Sequence, residues 1–348
     1  MKLGGIPQNP VEWLGAKLGL LPQPLLDTHV AMLLARAVIE GTRLGVFDAL
    51  AKGPLTAAEI AARCASQPRA TRKLLDALAG CEYLRFDAGR YALTPLARKW
   101  LLADADESLR DKMLLLFREW DFIARTGDFV RTGKPLDIHA SMTREEWGIY
   151  QRGMRATVCT WAPEVARRTP VPKGAKDLLD VGGAHSLLSA AICRRHPGLR
   201  AVILDLPEAV EHAAPLLAQE EMGDRVVHRA GNALTDDLGT EAWDVVFVSN
   251  LVHHFDDATN RALAQRIARA LRPGGVFVIQ ELYRPSSPDE AGQIGALLDL
   301  YFALTSESGT WSFAEMADWQ REAGLKPKKP LKLLTAPGTG QQSAVKAR

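Results

Sequence analysis

The feature that most constrains the fold is a series of short, β-rich apolar runs in the second half of the chain. From Asp177 onward these runs alternate with connectors long enough to hold a helix. They occupy residues 178–181, 201–204, 226–228, 245–248 and 276–279. Strands of a parallel sheet that is covered on both faces are apolar along their whole length. The second half therefore predicts a doubly wound α/β domain.

The first half has a different periodicity. From Leu25 to about Arg168 the apolar residues recur at helical spacing, and the proline- and glycine-containing segment 167–174 ends this region. Thr56 and Glu59 form a capping box before a short helix. A second helix at 71–78 and a hairpin at 83–86 and 90–93 follow. Helix, turn, helix and hairpin in this order predict a winged-helix module.

Charge and cysteine content narrow the possible partners. The chain has 43 Lys and Arg against 41 Asp and Glu, and residues 56–100 hold eight basic and four acidic residues. This excess is too small for strong phosphate binding, which favours a packing or dimerisation module over a nucleic-acid-binding one. The four scattered cysteines form no C-x-x-C pair, and neither a membrane span nor a secretory signal is recognisable. A cytoplasmic protein is the expectation.

The loop after the first predicted strand has the features of a nucleotide-cofactor site. Gly182 and Gly183 allow close approach of a ligand, and Asp205 ends the next strand, where a carboxylate accepts hydrogen bonds from ribose hydroxyls. A dinucleotide fingerprint needs a third glycine where this chain has Leu187, which disfavours NAD. S-adenosylmethionine fits better, with its adenosine at Asp205 and its amino-acid tail at the glycine loop. A doubly wound domain with an unused first turn is the alternative.

Two later segments fall at the same edge of the predicted sheet. Asn232 either hydrogen-bonds an adenine edge or caps the turn that follows it. After the fourth strand come His253 and His254 with two acidic residues. Neighbouring side chains point in different directions and no Cys/His cluster lies nearby, so a metal site is not expected. A histidine at the ligand edge of the sheet suits a general base.

The order and spacing of these segments resemble one family over nearly the whole chain. The dimeric S-adenosylmethionine-dependent O-methyltransferases of the caffeate and hydroxyneurosporene type share the motifs at 180–183, 204–207, 231–232, 251–257, 271–275, 278–281 and 322–325. The resemblance implies a Rossmann-like class I methyltransferase sheet preceded by a mainly α-helical winged-helix dimerisation domain. It implies a dimerisation domain at 1–110, linking helices at 111–172 that contribute to the substrate pocket, and an S-adenosylmethionine-binding domain at 173–348.

The resemblance also implies roles for individual residues. The catalytic base falls on His253 and its orienting glutamate on Glu281. The cofactor-binding positions fall on Asp180, Gly182, Gly183, Asp205, Leu206, Asn232, Ala233, Asn250 and Met154. A pocket for a flat aromatic acceptor between the domains is expected to include Trp120, Trp147, Tyr150, Tyr301 and Phe302, although each also suits an ordinary core. The expected partners are a small-molecule acceptor and a second copy of the chain, with no membrane and no nucleic acid.

Four positions depart from the family pattern. The glycine loop continues as Ala184, His185 and Ser186, and Asn232 replaces an aspartate. Thr310 stands where a second glutamate is expected, and His254 stands where plant members have an acid. These departures leave two further hypotheses open. One is a protein of the same fold that binds the cofactor without methylating, and the other is a ligand-sensing regulator that uses the winged helix.

Overall fold

Helices make up most of the N-terminal unit, which ends at Arg118 in the computed structural model. The structure describes residues 4–139 and 142–348. The elements of this unit, with a π-helical turn at Leu26–Val30, are α1 (Pro10–Lys17), α2 (Gln23–Leu25), α3 (Ala31–Arg43), α4 (Val46–Ala49), α5 (Ala57–Arg63), α6 (Pro68–Gly80), β1 (Leu84–Asp87), β2 (Arg90–Leu93), α7 (Pro95–Trp100) and the first part of α8 (Arg110–Ile123).

The winged-helix pattern is present in this unit. Thr56 and Glu59 form the predicted capping box at the start of α5, with reciprocal bonds between side chains and backbone. Strands β1 and β2 pair antiparallel as the predicted hairpin, and Gly89 supplies the positive φ that the turn needs. Ile60 of α5, Leu75 of α6 and other apolar side chains of these elements form one buried core.

The second unit begins at Glu119 and contains the large sheet. Its further helices are α9 (Thr126–Thr132), α10 (Arg144–Val158), α11 (Ala162–Arg168), α12 (Leu187–Arg195), α13 (Pro207–Gln219), α14 (Asp257–Ala270), α15 (Pro288–Thr305) and α16 (Phe313–Glu322). Its strands are β3 (Asp177–Val181), β4 (Arg200–Asp205), β5 (Val226–Ala230), β6 (Trp243–Ser249), β7 (Leu271–Leu282), β8 (Lys326–Pro327), β9 (Leu331–Lys332) and β10 (Thr339–Val345).

The sheet has the order β5-β4-β3-β6-β7-β10-β8, with β9 also paired to β10. The five strands from β5 to β7 are parallel, and β10 runs antiparallel to β7. Leu178 packs with α11 and α12 on one face, whereas Leu179 packs with α14 and α16 on the other. Both faces are covered, which is why the strands are apolar throughout. The predicted doubly wound α/β fold is confirmed.

The order in which the chain adds strands to the sheet reverses between β3 and β6, although the two strands are parallel. From β3 the chain proceeds outward to β4 and β5, and it then returns to β6 on the other side of β3. The loops at the carboxyl ends of β3 and β6 therefore diverge and leave a crevice, which is where ligands bind such sheets. Among the helices of the described ranges, none combines the length and the apolar character needed to cross a bilayer.

Candidate functional site

A cavity of about 220 Å³ opens at this crevice. Its wall is formed by helix α10 and by the loops that follow β3, β4, β5 and β6. Of the predicted cofactor-binding and acceptor residues, it is lined by Gly182, Asp205, Leu206, Asn232, Ala233, Asn250, Met154, Trp147 and Tyr150. Residues that are distant in the sequence thus meet at one edge of the sheet, because parallel strands place all their carboxyl ends there.

Two glycines shape the loop after β3 for different reasons. Gly182 has a φ of +80°, and its N–H donates to the Leu204 carbonyl at 2.9 Å. Gly183 lies over Asp180, where an added Cβ would be only 2.1 Å from the Oδ2 atom of Asp180. A side chain at position 183 would force the loop away from the strand. The loop therefore keeps a narrow backbone cradle at the cavity wall.

Asp180 lies beneath this cradle rather than in the cavity wall. Its Oδ2 atom accepts a hydrogen bond from the Ser189 hydroxyl at 2.6 Å, and its buried Oδ1 atom has no partner among the described residues. Burial raises the pKa of Asp180 to about 7. Asp180 and Gly183 are not among the residues that line the cavity, and both lie at the base of the loop.

Asp205 faces the cavity from the end of β4. Its Oδ2 atom accepts the Ala184 N–H at 3.0 Å, and its Oδ1 atom accepts the Leu206 N–H at 2.8 Å. Burial raises the pKa of Asp205 to about 6. Each carboxylate oxygen keeps a further lone pair, so the group has acceptor capacity left for hydroxyls of a ligand. This is the chemistry that a ribose diol requires.

Asn232 performs one of the two roles that the sequence left open. Its Oδ1 atom accepts the Leu234 N–H at 2.9 Å, which closes a turn after β5. Its own backbone N–H donates to Asp236 at 3.0 Å. The side-chain oxygen is therefore engaged in the turn, and the amide nitrogen is the atom left to face a ligand in the cavity.

His253 and Glu281 form a buried pair. The Nδ1 atom of His253 lies 3.0 Å from the Oε1 atom of Glu281, and the two residues are 3% and 0% exposed. A carboxylate accepts hydrogen bonds, so Nδ1 carries the proton and Nε2 keeps a free lone pair. The same Oε1 atom accepts the Leu282 N–H at 3.1 Å. An imidazole held in this tautomer is able to accept a proton at Nε2.

The short 3-10 turn Val252–His254 holds this imidazole in place. The Val252 carbonyl accepts hydrogen bonds from Asn260 Nδ2 at 2.9 Å and from Trp311 Nε1 at 3.1 Å. Phe302 of α15 covers the ring of His253, with the ring centroids 4.4 Å apart. His253 is not itself part of the cavity wall, which includes the neighbouring His254 instead.

Aromatic side chains converge beside the cavity. Trp147 and Tyr150 line it from α10, with ring centroids 5.9 Å apart. Tyr301 and Phe302 lie together on α15 outside the cavity wall, and Trp120 on α8 is also outside it. Burial raises the pKa of Tyr150 and of Tyr301 above the usual range, so both phenols stay neutral.

Three histidines of the cavity wall have no assigned role in the sequence analysis. His139 stacks on Trp147 with centroids 5.5 Å apart, and its ring centroid is 4.7 Å from that of His254. His185 lines the cavity from the loop after β3. Burial lowers the pKa of all three, to about 4 for His185, so they are uncharged at neutral pH. His254 was recognisable as a departure from the family, whereas nothing near His139 signalled its position.

Within residues 4–139 and 142–348, no group of three His, Cys, Asp or Glu side chains is arranged to bind a metal. The four cysteines, which all lie within these ranges, form no disulfide bond.

Comparison with known proteins identifies both halves of the chain. Residues 29–103 match the family model of the O-methyltransferase dimerisation domain, and residues 137–326 match that of the O-methyltransferase domain. The chain is 27% identical over 342 residues to 3-hydroxy-5-methyl-1-naphthoate 3-O-methyltransferase of Streptomyces sahachiroi, which covers 94% of this chain and 96% of that protein. It is 30% identical over 269 residues to N,N-dimethyltransferase OxyT of Streptomyces rimosus, covering 74% and 77%.

Solved structures share the fold. Human N-acetylserotonin methyltransferase in complex with SAM superposes with a TM-score of 0.82 at 20% identity, over 99% of this chain and 100% of that one. The two family models and these relatives confirm the resemblance drawn from the motifs.

Proposed function

This chain belongs to the O-methyltransferase family, and we propose that it methylates a hydroxyl of a small aromatic acceptor with His253 as the general base. The observation that carries the proposal is the buried His253–Glu281 pair, which leaves one imidazole nitrogen free to accept a proton. The intact pair argues against a protein that only binds the cofactor. The basic excess of the winged-helix module is too small for strong phosphate binding, which argues against a nucleic-acid-binding regulator.

S-adenosylmethionine is the methyl donor of this family, and when bound it supplies a methyl group on a positively charged sulfur. The residues present fit this molecule. The cradle at Gly182 admits a ligand close to the backbone, and Asp205 offers the acceptor oxygens that ribose hydroxyls need. Asn232, Asn250 and Met154 also line the cavity, and we assign them to the same cofactor.

His253 then removes the proton of the acceptor hydroxyl. A phenol has a pKa near 10, so at neutral pH the hydroxyl must lose its proton as the new bond to carbon forms. Nε2 of His253 accepts this proton, and Glu281 stabilises the resulting imidazolium through the Nδ1–H bond. General-base catalysis of this kind contributes about 10²–10⁴-fold to the rate.

The acceptor class follows from the side chains near the base. Trp147, Tyr150, Tyr301 and Phe302 present flat apolar surface, which suits an aromatic ring. The Streptomyces sahachiroi relative is named for a hydroxynaphthoate, which is such a molecule. The relative named as an N,N-dimethyltransferase makes an aromatic amine the second acceptor class to test.

We also propose the assembly and the division of labour within the chain. The match to a dimerisation domain supports a homodimer formed through the N-terminal region. We assign residues 1–110 to dimerisation, 111–172 to linking helices that contribute to the acceptor pocket, and 173–348 to cofactor binding.

The proposal is tested by methyl transfer from labelled S-adenosylmethionine to a panel of phenols, aromatic amines and carboxylic acids. We expect one labelled methyl group on a phenol. His253→Ala should lower kcat by about 10²–10⁴-fold and leave the affinity for S-adenosylhomocysteine unchanged, as measured by titration calorimetry.

Glu281→Gln should also lower kcat, because the amide does not stabilise an imidazolium as a carboxylate does. His196→Ala, at the far end of α12, is the matched control and should behave as the wild type. An equal loss of turnover and of cofactor affinity in His253→Ala would rule out the role of base. Methyl transfer only to amines would show that the acceptor atom is nitrogen and not oxygen.

A further inference from the structure

Ser186 has a backbone conformation that is unfavourable for its residue type. It stands at the N-cap of α12 with a φ of +70°, in the left-handed region, and it is fully buried. Holding a residue that has a Cβ in this region costs about 1–3 kcal/mol of free energy, so this conformation persists only where surrounding contacts hold it. Ser186 directly follows His185, which lines the cavity, so the contacts that hold Ser186 also fix the end of this loop.

His228 of β5 supplies the main contact. Its Nε2 atom lies 2.8 Å from the Ala184 carbonyl and 3.0 Å from the Ser186 hydroxyl. A carbonyl only accepts hydrogen bonds, so Nε2 carries the proton and donates it. The Ser186 hydroxyl lies 2.9 Å from the same carbonyl and donates to it as well. Burial lowers the pKa of His228, which keeps the ring neutral in this tautomer.

The peptide groups of Ala184 connect these contacts to the cavity. The N–H of Ala184 donates to Asp205, while its C=O accepts from His228 and Ser186. Ala184 is 2% exposed, and its side chain belongs to a small apolar cluster with Trp147. One residue of the loop is thus fixed on three sides, and two of the groups that fix it, Asp205 and Trp147, line the cavity.

We propose that His228 and Ser186 are positioning residues that clamp the Ala184 carbonyl and so hold the cofactor loop in its binding conformation. Neither needs to touch the cofactor, because both act through Ala184. The clamp offsets the strain at position 186, where a glycine would need no such support. This inference rests on the proposed function, since it assigns the loop to S-adenosylmethionine and its product.

Titration calorimetry with S-adenosylhomocysteine tests the clamp without any need for the acceptor. His228→Ala should raise Kd about tenfold, the effect of losing one hydrogen bond to a buried carbonyl. His228→Gln should stay within about threefold of the wild type, because its amide nitrogen donates to the same carbonyl. His196→Ala is the matched control and should not change Kd, and thermal melting checks that every variant is folded.

Two substitutions of Ser186 separate the clamp from ordinary packing. Ser186→Ala removes the hydroxyl and keeps the strained Cβ, so Kd should rise about tenfold. Ser186→Gly removes both, so Kd should stay within about threefold of the wild type. Equal effects of Ala and Gly, or wild-type affinity of His228→Ala, would overturn the clamp. A wild-type protein that does not bind S-adenosylhomocysteine would instead overturn the proposed function, and this inference with it.

Discussion

Two carboxyl groups, the buried Asp180 and the half-buried Asp205, contact the loop after β3. Burial raises the pKa of Asp180 to about 7 and that of Asp205 to about 6, and the negative charge of Asp205 raises the pKa of Asp180 further. Asp180 supports the loop through Ser189, whereas Asp205 faces the cavity. Both carboxyl groups therefore change charge within the range of pH used for assays.

The raised pKa of Asp205 predicts a pH dependence of cofactor binding. The carboxylate accepts hydrogen bonds from ribose hydroxyls and the protonated acid accepts them less well, so affinity should fall as the pH decreases below about 6. At pH 5, one unit below this pKa, about a tenth of the protein molecules carry an ionised Asp205. Kd for S-adenosylhomocysteine should therefore rise about tenfold between pH 7.5 and pH 5. Calorimetry across this range measures the change.

The control for this pH dependence is Asp205→Asn, which should bind weakly at pH 7.5 and vary little with pH. Unfolding of the free protein should not follow the same trend. A carboxyl group whose pKa is raised by folding contributes stability that is present below its unfolded pKa near 4 and is lost as the pH rises through about 6. A flat binding profile in the wild type would contradict the role of Asp205.

At the level of elements, helix α10 supplies several of the side chains that line the cavity. It presents Trp147, Tyr150 and Met154 to the cavity, because residues three, four and seven positions apart share one helical face. Thr143 and Glu146 begin the helix with a capping box, in which the Thr143 hydroxyl accepts the Glu146 N–H at 3.3 Å. The cap sets where the helix starts and so where its aromatic face lies.

Removal of this cap should therefore weaken both the fold and the site. Thr143→Ala should lower the free energy of unfolding by about 1 kcal/mol, measured by denaturant titration, and should weaken S-adenosylhomocysteine binding. Thr56→Ala is the matched control, since Thr56 caps α5 in the N-terminal unit with the same 3.3 Å bond to Glu59. Thr56→Ala should lower the free energy of unfolding by a similar amount and leave S-adenosylhomocysteine binding unchanged. Equal effects of the two on binding would show that α10 has no special role.

The elements also differ in how far the sequence predicted them. Strands β3, β4, β6 and β7 are recognisable because burial on both faces requires apolar residues throughout. Strand β10 was not recognisable individually, since its central residues, Gln341 and Gln342, are polar. Gln341 Nε2 donates to Thr169 at 2.9 Å and Gln342 Nε2 donates to Gln320 at 3.2 Å, so tertiary contacts permit buried amides there.

For the molecule as a whole, the N-terminal helices leave apolar side chains exposed in the single chain. Met32, Leu33 and Leu34 of α3 lie in the segment that matches the dimerisation domain, and Leu33 is 56% exposed. Several large apolar side chains exposed within one short segment are typical of a subunit interface. It supports the proposal that a second copy covers this surface.

Leu33→Asp should therefore shift the protein toward the monomer, because it places a charge in a buried apolar interface. The dimer dissociation constant should rise at least tenfold, or about 1.4 kcal/mol, as measured by light scattering across a dilution series. Leu334→Asp is the control, since Leu334 is 74% exposed in the other unit. A wild-type protein that is monomeric at micromolar concentration would contradict the dimer itself.

The sequence by itself determined the features that depend on local pattern: the apolar strands, the two glycines of the loop, and Asp205 at the end of a strand. Each follows from a rule about neighbouring residues, namely burial on both faces, permitted φ or position at a sheet edge. The pairing of His253 with Glu281 came from the resemblance, since 28 residues separate them.

Only the tertiary structure decided the remaining features of the site. It placed Asp180 beneath the loop, engaged the Asn232 oxygen in a turn, and brought His139 against His254. It also directed His228 to the Ala184 carbonyl across 44 residues. The physical reason is that a side chain's partners depend on how helices and strands pack, and no local pattern of residues records the contacts between distant segments.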